Sequence, residues 1–316
     1  MELCIEAEEK RAFRYVRFFD TRSAIRGYFP DFLVVGPQRT GTTWLSENLR
    51  LHPEVFVSYP KELHFFNRLR WPGHAPRLHP PRWTGSVRSY AREWARSLYV
   101  DALKTGRYRV GQLEWFLCFF EIGFASRTWR RWQMQRRYGE YREPKVRGEA
   151  TATYAVLDSA IIEEIVRLNP DLKVILMIRD PVERAWSHAK KDLLRARNLR
   201  VDQVSEEAFF DFFREPYQLR CGQFTRQIAC WSNALAKGNL YLGEFHRIQT
   251  SPRDLLTEIH AFLGVDTDAK FQGASRVGRV FNETGAERIP EVYRAFLEDL
   301  FAEEKRRLRE LLRRAP

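Results

Sequence analysis

Phe32 to Leu45 reads Phe-Leu-Val-Val-Gly-Pro-Gln-Arg-Thr-Gly-Thr-Thr-Trp-Leu, and no other stretch of the chain limits its fold as tightly. Four apolar residues bounded by Gly36 and Pro37 predict a buried strand, and from Thr42 onward the apolar positions Leu45 and Leu49 fall at helical spacing. Strand, tight loop and helix in that order turn free backbone N–H groups and the positive end of the helix dipole toward whatever lies over the loop. The natural occupant is an anion, most often a phosphate.

Gly36 and Gly41 have the spacing of a nucleotide-triphosphate loop, but that loop needs Lys directly after its second glycine and then Ser or Thr for magnesium. Thr42 stands where the Lys belongs, and the cationic side chain is Arg39, two residues before Gly41. A P-loop kinase or NTPase is thereby disfavoured. The run Gln38-Arg39-Thr40-Gly41-Thr42-Thr43-Trp44 instead resembles the 5′-phosphosulfate loop of sulfotransferases that use 3′-phosphoadenosine 5′-phosphosulfate (PAPS), commonly Pro-Lys-Ser-Gly-Thr-Thr-Trp. Arg in place of Lys departs from the cytosolic branch and is similar to the tyrosylprotein and many bacterial branches.

The helix begun at Thr42 is predicted to end near His52-Pro53, and Val55 to Val57 to form a second strand. Two parallel strands joined by a helix make a βαβ unit, so both carboxyl ends open on one edge of the sheet, and Glu62 and His64 face the anion loop. Transfer to a hydroxyl needs a base near the acceptor oxygen and positive charge near the leaving phosphate. Glu62-Leu63-His64-Phe65-Phe66-Asn67 resembles the Glu-x-His-Phe-Phe-Asp signature of glycan O-sulfotransferases, in which the Glu is the catalytic base; here Asn67 replaces the closing acid. The blander expectation is that Glu62 pairs with Lys61 or an Arg and that His64 satisfies a local hydrogen bond.

A second anchor is the apolar run Lys173 to Ile178 followed by Arg179-Asp180-Pro181, with Glu183 three residues after the Asp. This pattern predicts a strand and then a helix with Asp180 as N-cap, Pro181 at the first helical position and a capping box. Ser187 lies about 10 Å up that helix, within partial reach of an extended Arg179. The spacing from Arg179 to Ser187 resembles the family's 3′-phosphate motif, and the resemblance implies that these two residues hold the 3′-phosphate. Val146 to Tyr154 is similar to the Gly-Glu-x-(Ser/Thr)-Pro-x-Tyr stretch of glycan and bacterial sulfotransferases, without its Pro.

The remaining segments are less specific. Arg68 to Arg109 breaks into turn signals with Trp and Arg, and 68–132 is expected to be an excursion that builds the acceptor site. Leu113 to Ala125 is strongly apolar and is followed by Arg127, Trp129, Arg130, Arg131 and Trp132. It is too short to span a bilayer, so it is a core helix or pocket wall, with peripheral membrane contact through 113–132 as the alternative. Helices are predicted over Ile161–Leu168, Glu206–Phe213, Phe224–Leu235 and Pro252–Leu263, a strand over Leu240–Phe245, and one terminal helix over Pro290–Arg314. The loop from Phe271 to Thr284 carries Arg276 and Arg279, where family members fold a basic loop over the nucleotide.

At 316 residues, with 44% hydrophobic and 14% aromatic content, the chain has ample material for one large core, and a single domain 1–316 with its core at about 30–265 and the nucleotide-covering loop and C-terminal helix over 271–316 is expected. The net charge of +12 is carried mainly by Arg and suits an anionic partner. Cys4, Cys118, Cys221 and Cys230 form no Cys-x-x-Cys pair and have no His at metal-ligand spacing, so neither zinc nor a disulfide framework is indicated. With no apolar run of signal-peptide length in the first 30 residues, a cytoplasmic protein is expected.

The fold expected is a three-layer α/β sulfotransferase fold, P-loop-like, with a central parallel sheet and helices on both faces. The resemblance implies PAPS as co-substrate, 3′-phosphoadenosine 5′-phosphate as product and no metal. It also implies that Arg39 and the backbone of Thr40, Gly41, Thr42 and Thr43 bind the phosphosulfate, that Trp44 stacks on adenine, and that His64 orients the acceptor. The acceptor is expected to be a small molecule or glycan, leaning toward a glycan or a glycosylated or lipid-linked metabolite, with no nucleic acid. A non-catalytic anion-binding relative is the remaining rival.

Overall fold

In the computed structural model, residues 29–58, 61–67, 116–120, 122, 124–272, 277–279 and 288–314 are described. The strands are β1 (Phe32–Val35), β2 (Val55–Val57), β3 (Val146–Ala150), β4 (Lys173–Ile178) and β5 (Leu240–Glu244). They form one five-stranded sheet in the order β2-β3-β1-β4-β5, every pairing parallel. Crossovers between parallel strands place helices on the faces, which is why β1 and β4 read as unbroken apolar runs rather than alternating ones.

Alternate residues of the central strands enter two cores. Leu33, Val35, Leu176 and Ile178 pack with Phe65, Phe66, Phe116, Tyr154 and Trp231 on one face. Phe32, Val34, Ile175 and Met177 pack with Trp44, Leu45, Leu255 and Ile259 on the other. The helices are α1 (Thr42–Leu49), α2 (Phe124–Tyr138), α3 (Ser159–Leu168), α4 (Pro181–Ala189), α5 (Glu206–Arg214), α6 (Pro216–Gly222), α7 (Phe224–Ala234) and α8 (Pro252–Leu263), closed by Gly264; α1, α3, α7 and α8 supply residues to these two cores.

β1 and β2 are parallel, as strands joined by a helix should be, but they are not neighbours, because β3 is inserted between them. Gly148 makes the insertion possible: a Cβ there would lie 2.4 Å from the Phe32 carbonyl oxygen and 2.6 Å from the Phe32 ring. Gly148→Ala is therefore expected to destabilise the protein by about 1–3 kcal/mol, the usual cost of overpacking. A urea melt compared with wild type checks this, and an unchanged midpoint would refute it.

The single terminal helix expected over 290–314 is two, α9 (Glu291–Leu300) and α10 (Ala302–Arg314), broken at Phe301. Phe301 packs with Leu297, Trp186 and Phe209 in a third cluster, whereas Leu308 belongs to the core beneath the sheet. One straight helix cannot turn its apolar stripe to two separate cores. In the apolar segment near 113–125, Phe116, Leu117, Phe119 and Phe120 are buried, as a core segment requires. On α2, Arg130 turns inward and donates to the carbonyls of His52, Pro53 and Val55, while Trp129 and Trp132 are 40% and 50% exposed. Among the described residues no helix is long and apolar enough to cross a membrane. Most of the expected acceptor excursion over 68–132 lies outside the described residues.

Candidate active site

Because all five strands are parallel, their carboxyl ends and the loops that follow share one edge. The loop after β1 is held from several sides. Thr40 is fully buried and its hydroxyl donates to the Pro37 carbonyl at 2.8 Å. Gln38 accepts from the Tyr217 hydroxyl at 2.6 Å and from the Cys221 thiol at 3.8 Å, both on α6. Gly41 is the N-cap of α1 with φ at 92°, a left-handed conformation that favours glycine, and it supplies no side chain to cap the helix. The leading amides of α1 thus face the loop.

Arg39 is the centre of the arrangement. Its Nε donates to Ser187 Oγ at 2.8 Å, and its carbonyl accepts from Arg179 Nη1 at 2.9 Å. Arg179 and Ser187, the two residues expected to hold the 3′-phosphate, are thus both bonded to Arg39, one at its carbonyl and the other at its Nε. Arg179 also lies 4.1 Å over the Phe245 ring. Asp180 caps α4, accepting from the amides of Val182 at 2.9 Å and Glu183 at 3.1 Å, and this fixes the turn that aims Arg179. The Glu183 carboxylate faces Arg294 at 3.5 Å.

The electrostatics of this cluster favour an anion. Burial, together with repulsion from Arg179 and Arg195, pulls Arg39 down to about 10, with Asp192 acting in opposition. Burial and the neighbouring Arg184 likewise lower Arg179 against Glu183 and Asp180. Arg184 is fully buried, and its guanidinium meets the Gln218 carbonyl and His188 Nδ1. Guanidinium groups crowded at one strand edge repel one another in the folded protein, and a bound polyanion relieves that repulsion.

The second half of the site is the turn after β2. Glu62 and His64 have φ of 65° and 53°; with Arg39 at 78° they are three of the four non-glycine residues in left-handed conformations among the described residues. Backbone strain of about 1–3 kcal/mol per residue gathers where function requires a fixed side-chain direction. The Glu62 amide donates to the Ala150 carbonyl at 3.1 Å, which holds the turn to the end of β3. Glu62 pairs with Lys61 and stands 3.4 Å from His64 Nε2. Burial alone would raise the Glu62 carboxyl, but the charge of Lys61 and the bonds from His64 and Lys61 outweigh it and hold it well below the usual carboxylate range. The side chain is nonetheless 33% exposed, open to an incoming acceptor. The expected pairing with Lys61 is realised, and Glu62 lies beyond the carboxyl end of β3.

His64 Nδ1 faces Thr153 Oγ1 at 3.1 Å and Asn67 Oδ1 at 3.4 Å, and Thr153 donates to Asn67 Oδ1 at 2.7 Å. Asn67, in the place of the family's acid, therefore serves to orient His64. Burial would lower His64, but the bond and charge of Glu62, then Asn67 and Glu149, raise it. Thr153 follows β3, and its only sequence signal was the short stretch similar to the family's Gly-Glu-x-(Ser/Thr)-Pro-x-Tyr.

Among the other expected site residues, Thr42 is buried and Thr43 follows it in the first turn of α1. Trp44 is 2% exposed, packed in the core with Ile175 and Leu255, and its indole N–H donates to the Val277 carbonyl at 3.0 Å. That bond holds residues 277–279 over α1. Arg279 is exposed, and Arg276 lies outside the described residues.

A model of the sulfotransferase domain matches residues 29–284. The chain belongs to the sulfotransferase family. It is 23% identical over 250 residues to the human bifunctional heparan sulfate N-deacetylase/N-sulfotransferase 2, covering 75% of this chain and 22% of that protein. A mouse bifunctional heparan sulfate N-deacetylase/N-sulfotransferase 3 is likewise 23% identical over 260 residues, covering 78% of this chain and 23% of that protein. This sulfotransferase chain thus spans under a quarter of the length of these curated relatives. Its fold is similar to that of the sulfotransferase from Alicyclobacillus acidocaldarius, with a TM-score of 0.56 at 21% identity over 91% of this chain and 97% of that one. It is also similar to the sulfotransferase domain from the curacin biosynthetic pathway, with a TM-score of 0.50 at 14% identity over 86% and 97%.

Proposed function

We propose that this protein transfers the sulfuryl group of PAPS to a hydroxyl or amine of an acceptor, and that the acceptor is a glycan or a glycosylated or lipid-linked metabolite. The observation that carries the reading is the position of Arg39, bonded to Ser187 and to Arg179 on the edge that also bears Glu62. Two segments that the family uses for two phosphates of one nucleotide meet at a single residue, Ser187 on its guanidinium and Arg179 on its carbonyl. The relatives named as heparan sulfate N-sulfotransferases add weight to a glycan carrying an amine as one acceptor class.

In the reaction the acceptor oxygen or nitrogen forms a bond to sulfur as the bond from sulfur to the phosphate oxygen breaks. The acceptor proton passes to Glu62, and the negative charge left on the phosphate is met by Arg39 and the leading amides of α1. Glu62 is ionised over the whole neutral range and ready to receive a proton, but its depressed basicity makes it effective only as the acceptor grows acidic on bonding to sulfur. Proton transfer is accordingly late. Arg179 and Ser187 hold the 3′-phosphate, and His64 orients Glu62 and the acceptor. A kinase reading would need a Lys at the position of Thr42, which is 5% exposed and packed at the head of α1.

Calorimetric titration with 3′-phosphoadenosine 5′-phosphate in metal-free buffer is expected to give a dissociation constant on the order of micromolar. Arg179→Ala is expected to weaken it by about tenfold to a hundredfold, the worth of a charged hydrogen bond. Absence of binding to the wild-type protein would sink the proposal. Radiolabelled PAPS offered with amino glycans, hydroxylated glycans, phenols and peptide tyrosines then sorts the acceptor classes.

A further inference from the structure

The run of arginine and tryptophan from Arg127 to Trp132 has no part in the proposed chemistry. α2, which carries it, binds the rest of the protein by one narrow stripe. Arg130, Met134 and Tyr138 recur every four residues and turn inward; the first two are buried, and the Tyr138 hydroxyl donates to the Leu51 carbonyl at 2.9 Å. With the three bonds from Arg130 to the carbonyls of His52, Pro53 and Val55, these contacts seat α2 at the amino end of β2, an edge strand of the sheet. Glu62 follows the carboxyl end of β2, so the stripe and the proposed base lie at opposite ends of that strand. The outer face of α2 is therefore a surface apart from the acceptor edge.

At about 100° of rotation per residue, Trp129, Trp132 and Arg136 stand opposite the buried stripe, with Arg131 and Arg137 on its two flanks. Trp129 and Trp132 are two of the three exposed large hydrophobic side chains among the described residues, and their rings lie 4.9 Å apart. The Arg136 guanidinium lies 5.4 Å over the Trp132 ring. α2 holds five arginines and no acidic residue, and among the described residues the carboxylate paired with it is Glu143, 3.8 Å from Arg127. Arg131 instead lies 5.7 Å over the Tyr141 ring. Two adjoining indoles kept in water cost free energy in proportion to their apolar area, and an apolar patch rimmed by one sign of charge marks a surface that meets a partner.

The sign of the rim calls for an anionic partner, and the aromatic crest selects its kind. A soluble polyanion is met best by cations at the crest, whereas here indoles occupy most of the crest and further cations stand lower on its flanks. That is the order of a helix lying in a membrane interface, where Trp sits at headgroup level and Arg extends along the apolar layer to reach lipid phosphate. We propose that the outer face of α2 is a docking surface for an anionic phospholipid bilayer, with Trp129 and Trp132 entering the headgroup layer and Arg131, Arg136 and Arg137 meeting lipid phosphates. The apolar segment before it is not part of that surface, since Phe116, Leu117, Phe119 and Phe120 are buried in the core. The net charge of +12 acts in the same direction. Two indoles bind a bilayer weakly without the charge, so docking depends on both.

The full chain is sedimented with vesicles of pure phosphatidylcholine and with vesicles of equimolar phosphatidylcholine and phosphatidylglycerol. Binding is expected to the second and not to the first, and to fall as salt is raised. Trp129→Ala/Trp132→Ala is expected to weaken partitioning by about tenfold or more. Arg131→Gln and Arg137→Gln are each expected to weaken it by about fivefold, the worth of one cation at an anionic surface. Lipids with brominated acyl chains should quench part of the wild-type indole fluorescence, and that part should be lost in the tryptophan variant. All four side chains are exposed, and the thermal midpoint of each variant checks its fold; the arginine variants serve where the tryptophan pair does not fold. No binding of wild type to the anionic vesicles, or equal binding by wild type and the folded variants, overturns the proposal. So does a wild-type dimer in sedimentation velocity that the tryptophan variant makes monomeric, which assigns the face to a second copy, and so does retention on an anionic glycan without vesicle binding. The vesicle result is read without PAPS or acceptor and stands whether or not sulfuryl transfer is found.

Discussion

Glu62→Gln is expected to lower kcat for sulfuryl transfer by about 10²–10⁴-fold, the range for losing a positioned general base. Binding of 3′-phosphoadenosine 5′-phosphate should be unchanged, because the nucleotide contacts proposed here come from the loop after β1, from Arg179 and from Ser187. The variant also removes the partner of Lys61 and of His64 Nε2, so both cations lose their anion at once. In the wild-type protein those two groups hold Glu62 ionised well below its ordinary 4.5. The acid limb of kcat/KM contributed by Glu62 is therefore expected below pH 4.5, because a base with a depressed pKa is lost only at lower pH. A Glu62→Gln rate within a few-fold of wild type would remove Glu62 from the chemistry and favour a non-catalytic anion-binding protein.

Arg39→Ala is expected to lower kcat by about 10²–10³-fold, the size of effect seen when one donor to a developing oxyanion is removed. Nucleotide binding should persist, weakened, through Arg179 and the leading amides of α1. Stability provides the internal control. The folded state lowers Arg39 to about 10, so its charge is held against a burial cost at every pH below that value. Removing it should leave the thermal midpoint no lower than that of wild type, and a loss of activity is then not a loss of fold. Arg39→Lys restores charge but cannot reproduce the Nε bond to Ser187 while addressing a phosphate, so only part of the rate should return. Wild-type activity in Arg39→Ala would remove the central claim about the loop.

The two variants test different halves of one edge, and those halves were not equally legible. The loop from Gly36 to Thr43 and the start of α4 at Asp180 depend on contacts within a few residues, so Gly, Pro and capping side chains announced them. Glu62 was legible through the motif, but its state was not. The depressed carboxyl comes from Lys61 beside it and from a histidine that Thr153 and Asn67 turn toward it, and Thr153 is 89 residues from His64. Gln38, Tyr217 and Cys221 show the same limit, since α6 grips the loop across 179 residues with no local pattern to mark it. The terminal helix was read as one because its apolar stripe continues through Phe301, and only the separation of two cores breaks it there.

By itself the sequence determined the parallel α/β architecture, the strand identities and the loop after β1 in which Thr42 stands where a triphosphate loop has its lysine. These follow from hydrophobic period, turn residues and short spacings, which are properties of neighbours along the chain. The tertiary structure alone decided that β3 enters between β1 and β2, that Arg39 rather than Arg179 touches Ser187, and that His64 meets Thr153 and Asn67. Each depends on which strand edges and side chains meet, and those energies are fixed only when segments far apart in the chain are packed side by side.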